Sequence, residues 1–141
     1  MLYLVAPLLW ILVAVTVLLA WWRGGGAERM GAILMLIASL MVRLIHLILP
    51  TSLHAYALLI DEAALAAGFL LVALRYFSPW LGVAMILQAI QFSLHAYYLV
   101  GEKDHDYLYK LVNNVNTFAI LLIILAATLL TWRKRASAAA R

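Results

Sequence analysis

The sequence predicts an all-α membrane protein with five transmembrane helices. Three observations carry that prediction. Of 141 residues, 68% are hydrophobic and only 11% charged, too few polar groups to clothe a soluble domain. Five apolar stretches reach the roughly 20 residues that cross a bilayer as a helix. Basic residues gather on one side of these stretches, with Arg23, Arg29, Arg75, Arg133, Lys134, Arg135 and Arg141 there and only Lys103 and Lys110 on the other. That asymmetry predicts an outer N-terminus and a cytoplasmic C-terminus. It also places most of the net charge of +4 at lipid-headgroup level rather than in a nucleic-acid patch. Cysteine is absent, so disulfides and thiolate metal sites are excluded.

The first helix is predicted over Leu2–Trp22. No positive n-region precedes Trp10 and no clear small-residue cleavage site follows, so this run reads as a retained helix rather than a signal peptide. Trp21, Trp22 and Arg23 anchor its end at the interface, and Gly24-Gly25-Gly26 breaks it. Helix 2 is predicted over Glu28–Leu49 and stops at Pro50. Thr51 or Ser52 can cap helix 3, which runs to about Phe77. Ser78 followed by Pro79 reads as an N-cap and first helical residue for helix 4, which runs to Val100. An acidic loop, Gly101–Asp106, leads into helix 5, Tyr107–Trp132. Residues 1–135 thus form a single domain, and residues 136–141 a frayed cytoplasmic tail.

Short loops make consecutive helices antiparallel neighbours. Helices 2–5 each carry a polar stripe, whereas helix 1 offers only Thr16. The expected architecture is therefore an antiparallel four-helix bundle of helices 2–5, with helix 1 peripheral.

The stripes nominate a site. Arg43, His46, Asp61, Gln88, Gln91, His95 and Asn113 all fall in the outer half of the bilayer. At about 1.5 Å per residue, Arg43, His95 and Asn113 lie roughly 8–9 Å deep, and Asp61, Gln91 and Asn116 roughly 14–15 Å. A charge in lipid costs about 2.5–3.5 kcal/mol on translocon scales, so Arg43 is expected to pair with Asp61 inside the bundle. Neighbouring Glu62 points elsewhere and needs a second partner, protonation or another subunit. Ser52-Leu53-His54-Ala55-Tyr56 recurs as Ser93-Leu94-His95-Ala96-Tyr97, too short a match to indicate duplication.

The bland explanation of these groups is interhelical hydrogen bonding. The sharper one is an outer-half cavity for a quinone, a lipid headgroup or another small ligand. His46 and His95, at similar depth on different helices, also permit haem b as axial ligands. No local spacing favours a metal site, and no catalytic motif is present.

The segment Trp22-Arg23-Gly24-Gly25-Gly26-Ala27-Glu28-Arg29-Met30-Gly31-Ala32 resembles a group of small polytopic membrane proteins of alphaproteobacteria. These carry a similar Arg-Gly-Gly-x-x-Glu-Arg-x-Gly-Ala turn between their first helices. The resemblance continues loosely through Asp61, Arg75, Trp80 and His95. The group carries no assigned activity, so the resemblance implies a bacterial inner membrane and transfers no catalytic residue. The resulting expectation is a non-enzymatic accessory or assembly subunit that packs against a larger membrane complex or against its own copies. The alternative is a ligand- or cofactor-binding redox or transport protein that uses the periplasmic-half cavity.

Overall fold

A computed structural model describes residues 2–140, with side chains from residue 5 onward. Arg141, counted among the basic residues above, lies outside them. Five helices follow in chain order: α1 (Leu2–Arg23), α2 (Gly26–Ile48), α3 (Thr51–Tyr76), α4 (Pro79–Val100) and α5 (Tyr107–Ala139). All five are long and apolar enough to cross a membrane, which makes the chain an integral multi-pass membrane protein.

Local chemistry explains the boundaries that differ from expectation. The Gly25 N–H donates to Glu28 Oε2 at 2.7 Å, so the carboxylate caps the helix and the first turn begins at Gly26. Pro50, in extended backbone, is the N-cap of α3 in place of Thr51 or Ser52. Asp106 caps α5 by accepting the Tyr109 N–H at 2.9 Å. Helix α5 continues past Trp132 to Ala139, because Arg133, Lys134, Arg135 and the alanines that follow are all good helix formers.

The helices close into a ring. Each packs on its sequence neighbour, α5 returns to pack on α1, and α2 and α5 also meet across the middle. The expectation of a peripheral α1 is therefore corrected: α1 packs on both α2 and α5. Its buried face is Val13, Thr16 and Ala20, each at most 2% exposed. The Thr16 hydroxyl donates to the Leu12 carbonyl at 2.7 Å, so this polar residue is satisfied within its own helix. A stripe of small residues allows close helix approach, and van der Waals contact then holds the helices where lipid supplies no hydrophobic drive.

The apolar core lies between the middle of the bundle and the end that carries the α1–α2 turn, the α3–α4 turn and the C-terminus. Phe69, Leu81, Ile120, Leu121 and Ile124 are fully buried there. Leu58, Leu65, Phe69 and Val72 form the inward face of α3, and that face also carries Glu62. The small-residue face of α3 packs instead on α2, where a Cβ on Gly68 would lie 2.8 Å from Leu34.

Candidate functional site: a polar cavity at the histidine end

The opposite end of the ring, which holds the α2–α3 turn and the α4–α5 loop, is open. A cavity of about 390 Å³ lies there, and all five helices contribute to its wall. Helix α1 supplies Val5, Leu9, Trp10 and Val13; α2 supplies Met35, Ser39 and His46. Asp61, Glu62 and Leu65 come from α3, and Gln91 and His95 from α4. Helix α5 adds Tyr109, Lys110, Asn113 and Asn114, while His105 reaches in from the preceding loop.

The floor is a carboxamide network. Gln91 donates to Asn113 Oδ1, and its own carbonyl accepts from Asn116 Nδ2 at 2.9 Å. Asn116 also donates to the Leu87 carbonyl at 2.7 Å. Beside it, Gln88 donates to the Glu62 carboxylate and, at 3.3 Å, to the Glu62 backbone carbonyl. Gln88, Gln91 and Asn116 are buried, which holds α4 and α5 at a fixed rotation.

Above the floor the walls offer free hydrogen-bonding groups. Nδ1 of His46 pairs with the Val42 carbonyl at 2.8 Å, and Nδ1 of His95 with the Gln91 carbonyl at 2.9 Å. A carbonyl can only accept, so each Nδ1 carries a proton, and the neutral form of each ring has an acceptor lone pair on Nε2. The Asp61 carboxylate is a further acceptor. Lys110, Asn114 and the Asn113 amide nitrogen are donors. The cavity thus presents both kinds of group over an apolar lower wall of Val13, Met35 and Leu65.

An aromatic cluster frames the mouth. The His105 ring stacks on Tyr109, with centroids 3.8 Å apart and planes within 3°. His95 meets the same tyrosine edge-on at 5.3 Å. The Tyr98 hydroxyl donates to Asp106 Oδ1 at 2.8 Å and ties the loop to α4. The Tyr109 N–H and the Tyr98 hydroxyl hold the Asp106 carboxyl below its usual pKa. Burial first, and then the nearby His95 and His46, push the His105 imidazole below its usual value.

Five of the seven residues nominated from the sequence line this cavity: His46, Asp61, Gln91, His95 and Asn113. Gln88 joins them one layer deeper, through Glu62. Arg43 does not. It is exposed on the outside of α2, away from the cavity wall, so the expected Arg43–Asp61 pair gives way to a Glu62–Gln88 contact. The reason lies in α3, whose bulky face rather than its small-residue face turns inward and carries Glu62 with it. Arg43 is long enough to extend along lipid toward the headgroups. The two Ser-Leu-His-Ala-Tyr copies have separate surroundings: His54 lies against His46, with ring centroids 4.8 Å apart, and His95 lies against Tyr109. Among the described residues no three His, Asp or Glu groups come together to hold a metal ion.

Sequence reasoning missed Trp10, His105 and Tyr109 on the cavity wall. The only signal for the first was its position at the outer end of an otherwise featureless helix. It also missed Glu28 at the other end of the bundle, which is 5% exposed. Besides the Gly25 N–H, Glu28 accepts from Trp80 Nε1 and from the Thr131 hydroxyl, both at 3.3 Å. Arg135 donates to the neighbouring Gly24 carbonyl at 3.3 Å. The end that carries the α1–α2 turn is therefore closed by a polar junction.

Comparison of the chain with protein families, with curated proteins and with solved structures finds no match.

Proposed function

We propose that this protein is a binding protein for an amphipathic membrane molecule whose polar head sits in the cavity at the histidine end. The observation that supports this most is the wall itself. All five helices contribute to it, its volume is about 390 Å³, and it sets donors and acceptors above a carboxamide floor and an apolar lower wall. A bundle whose polar groups served only as interhelical glue would pair them with one another and close. Here the carboxamide floor is paired, and Asp61, Lys110 and Asn114 above it are not needed for that network. The volume falls within the range of small-molecule sites, about 300–1,000 Å³.

The basic asymmetry supports an inner-membrane orientation with the cavity toward the periplasm and α5 ending in the cytoplasm. An accessory-subunit role drew part of its support from a Glu62 without a partner, and Gln88 supplies a partner within the chain. A haem b would need His46 and His95 as a pair, whereas His46 lies against His54 and His95 against Tyr109.

The test is purification in mild detergent followed by organic extraction and mass spectrometry. A single class of amphipathic molecule should be enriched with the wild-type protein and depleted with Asp61→Leu/Asn114→Leu. Equal lipid content in the two preparations overturns the reading. Co-purification of a stoichiometric membrane complex with no enriched small molecule would favour the accessory role, and a Soret band would favour haem.

A further inference from the structure

A second cleft, of about 350 Å³, opens between the first half of α1 and the first half of α5. It shares Val5, Leu9 and Asn114 with the polar cavity, so those side chains stand between the two spaces. Its remaining lining is almost wholly apolar and faces outward: Leu111 is 42% and Val115 59% exposed. A polar chamber in a helix ring, divided by three side chains from a lipid-facing apolar slot, has the form of a head site with a side exit.

We propose that the ligand is a quinone carrying a single long apolar tail, with its ring in the polar cavity and the tail leaving the bundle between α1 and α5. This rests on the binding role proposed above and names its ligand class. Two features select that class. Asp61 and Glu62 both line the head chamber, and two carboxyl groups there disfavour an anionic phosphate. The head chamber holds donors and acceptors together. The carbonyls of an oxidised ring require donors, which Lys110 and the Asn113 amide supply. The hydroxyls of a reduced ring require acceptors, which Asp61 and His95 Nε2 supply. One site can therefore hold both oxidation states of the same head without rearranging its backbone.

The experiment uses the full chain in one detergent and two probes, a benzoquinone head without a tail and the same head with a ten-carbon chain. Tryptophan quenching reports binding, because Trp10 lines the head chamber. Quenching should largely disappear in Trp10→Phe. The tailed probe should bind the wild type about tenfold more tightly than the tailless one. In Leu111→Phe/Val115→Phe, which fills the slot, that advantage should fall to about twofold or less while binding of the tailless probe stays unchanged. Comparing variants in one detergent cancels partition of the tail into micelles. Retention of the full advantage in the filled variant overturns the side exit. Displacement of the tailed probe by a short-chain phospholipid at equal concentration overturns the quinone assignment. If neither quinone quenches Trp10 while extraction still shows an enriched amphipath, the quinone proposal fails and the binding role stands. If extraction is also empty, both fail.

Discussion

Each end of the bundle buries a glutamate, and the two are treated differently. At the basic end, Glu28 receives Gly25, Trp80 and Thr131, donors drawn from the α1–α2 turn, the start of α4 and the end of α5. The junction is closed further by tight packing, since a Cβ on Gly31 would lie 2.6 Å from the Trp80 ring. At the histidine end, Glu62 meets side-chain donors from α4 alone, Gln88 and Gln91, and turns its other side to an open chamber. A buried carboxylate surrounded by donors from several elements is a fastener. A carboxylate held from one helix beside a cavity is available to something else.

The comparison breaks most readily at Glu28. Glu28→Ala leaves a backbone N–H, an indole N–H and a hydroxyl without their acceptor, and unties three elements at once. The expected loss is on the order of 3 kcal/mol, read as thermal or denaturant stability in detergent. Asp61→Ala at the histidine end should cost less than about 1 kcal/mol, because Asp61 is only half-buried and belongs to the cavity wall. Equal losses at the two sites would abolish the distinction between fastener and wall.

A smaller effect sharpens the role of Glu62. Gln88→Leu and Glu62→Leu each remove one side of a buried contact, and the double variant removes both. The double should be less destabilised than the sum of the singles by about 1 kcal/mol, within the range measured for polar contacts between membrane helices. Arg43→Leu combined with Asp61→Leu should be additive within about 0.5 kcal/mol, since Arg43 lies outside the cavity. Coupling in the second pair and none in the first would restore the ion pair that the sequence suggested.

These contrasts also show what the sequence made legible. Hydropathy runs and turn residues located all five spans, because length and breakers such as Pro50 and Ser78-Pro79 are local properties. The polar stripes named most of the polar side chains on the cavity wall, among them His46, Gln91, His95 and Asn113, because helical period is also local. Helix rotation was not local. Which side of α3 meets α2 decides that Glu62 rather than Asp61 makes the buried contact with Gln88, and small residues such as Gly68 mark a close helix contact rather than the centre of the bundle. Helix α1 was misplaced because a lack of polar residues was equated with lipid exposure, although Thr16 and its small neighbours are fully buried. Glu28 escaped notice because its partners Trp80 and Thr131 are 52 and 103 residues away along the chain.

The mildest prediction concerns the mouth of the cavity, where a loop histidine should respond to pH below neutrality. The His105 ring lies flat on Tyr109. Its burial, together with the neighbouring His95 and His46, lowers its pKa, so the imidazole is neutral in the folded loop at pH 7. A lowered pKa means that the unfolded chain binds the proton more readily. The contribution of the stack is therefore fully present above the ordinary imidazole value of about 6.5 and declines as the pH falls through the folded value. Asp104 opposes the shift, and Asp106 stays ionised through this window because its own pKa is held below the carboxylate norm. The α4–α5 loop should thus loosen before any helix does. Imidazole resonances of selectively labelled protein should include a His105 signal that titrates below the usual range, and that signal should vanish in His105→Phe. The phenyl ring should keep the loop closed in acid, leaving the basic end unaffected in both proteins. A loop that opens in acid to the same extent in His105→Phe would place the response elsewhere, and His95, edge-on to the same tyrosine at 5.3 Å, would then be the group to replace.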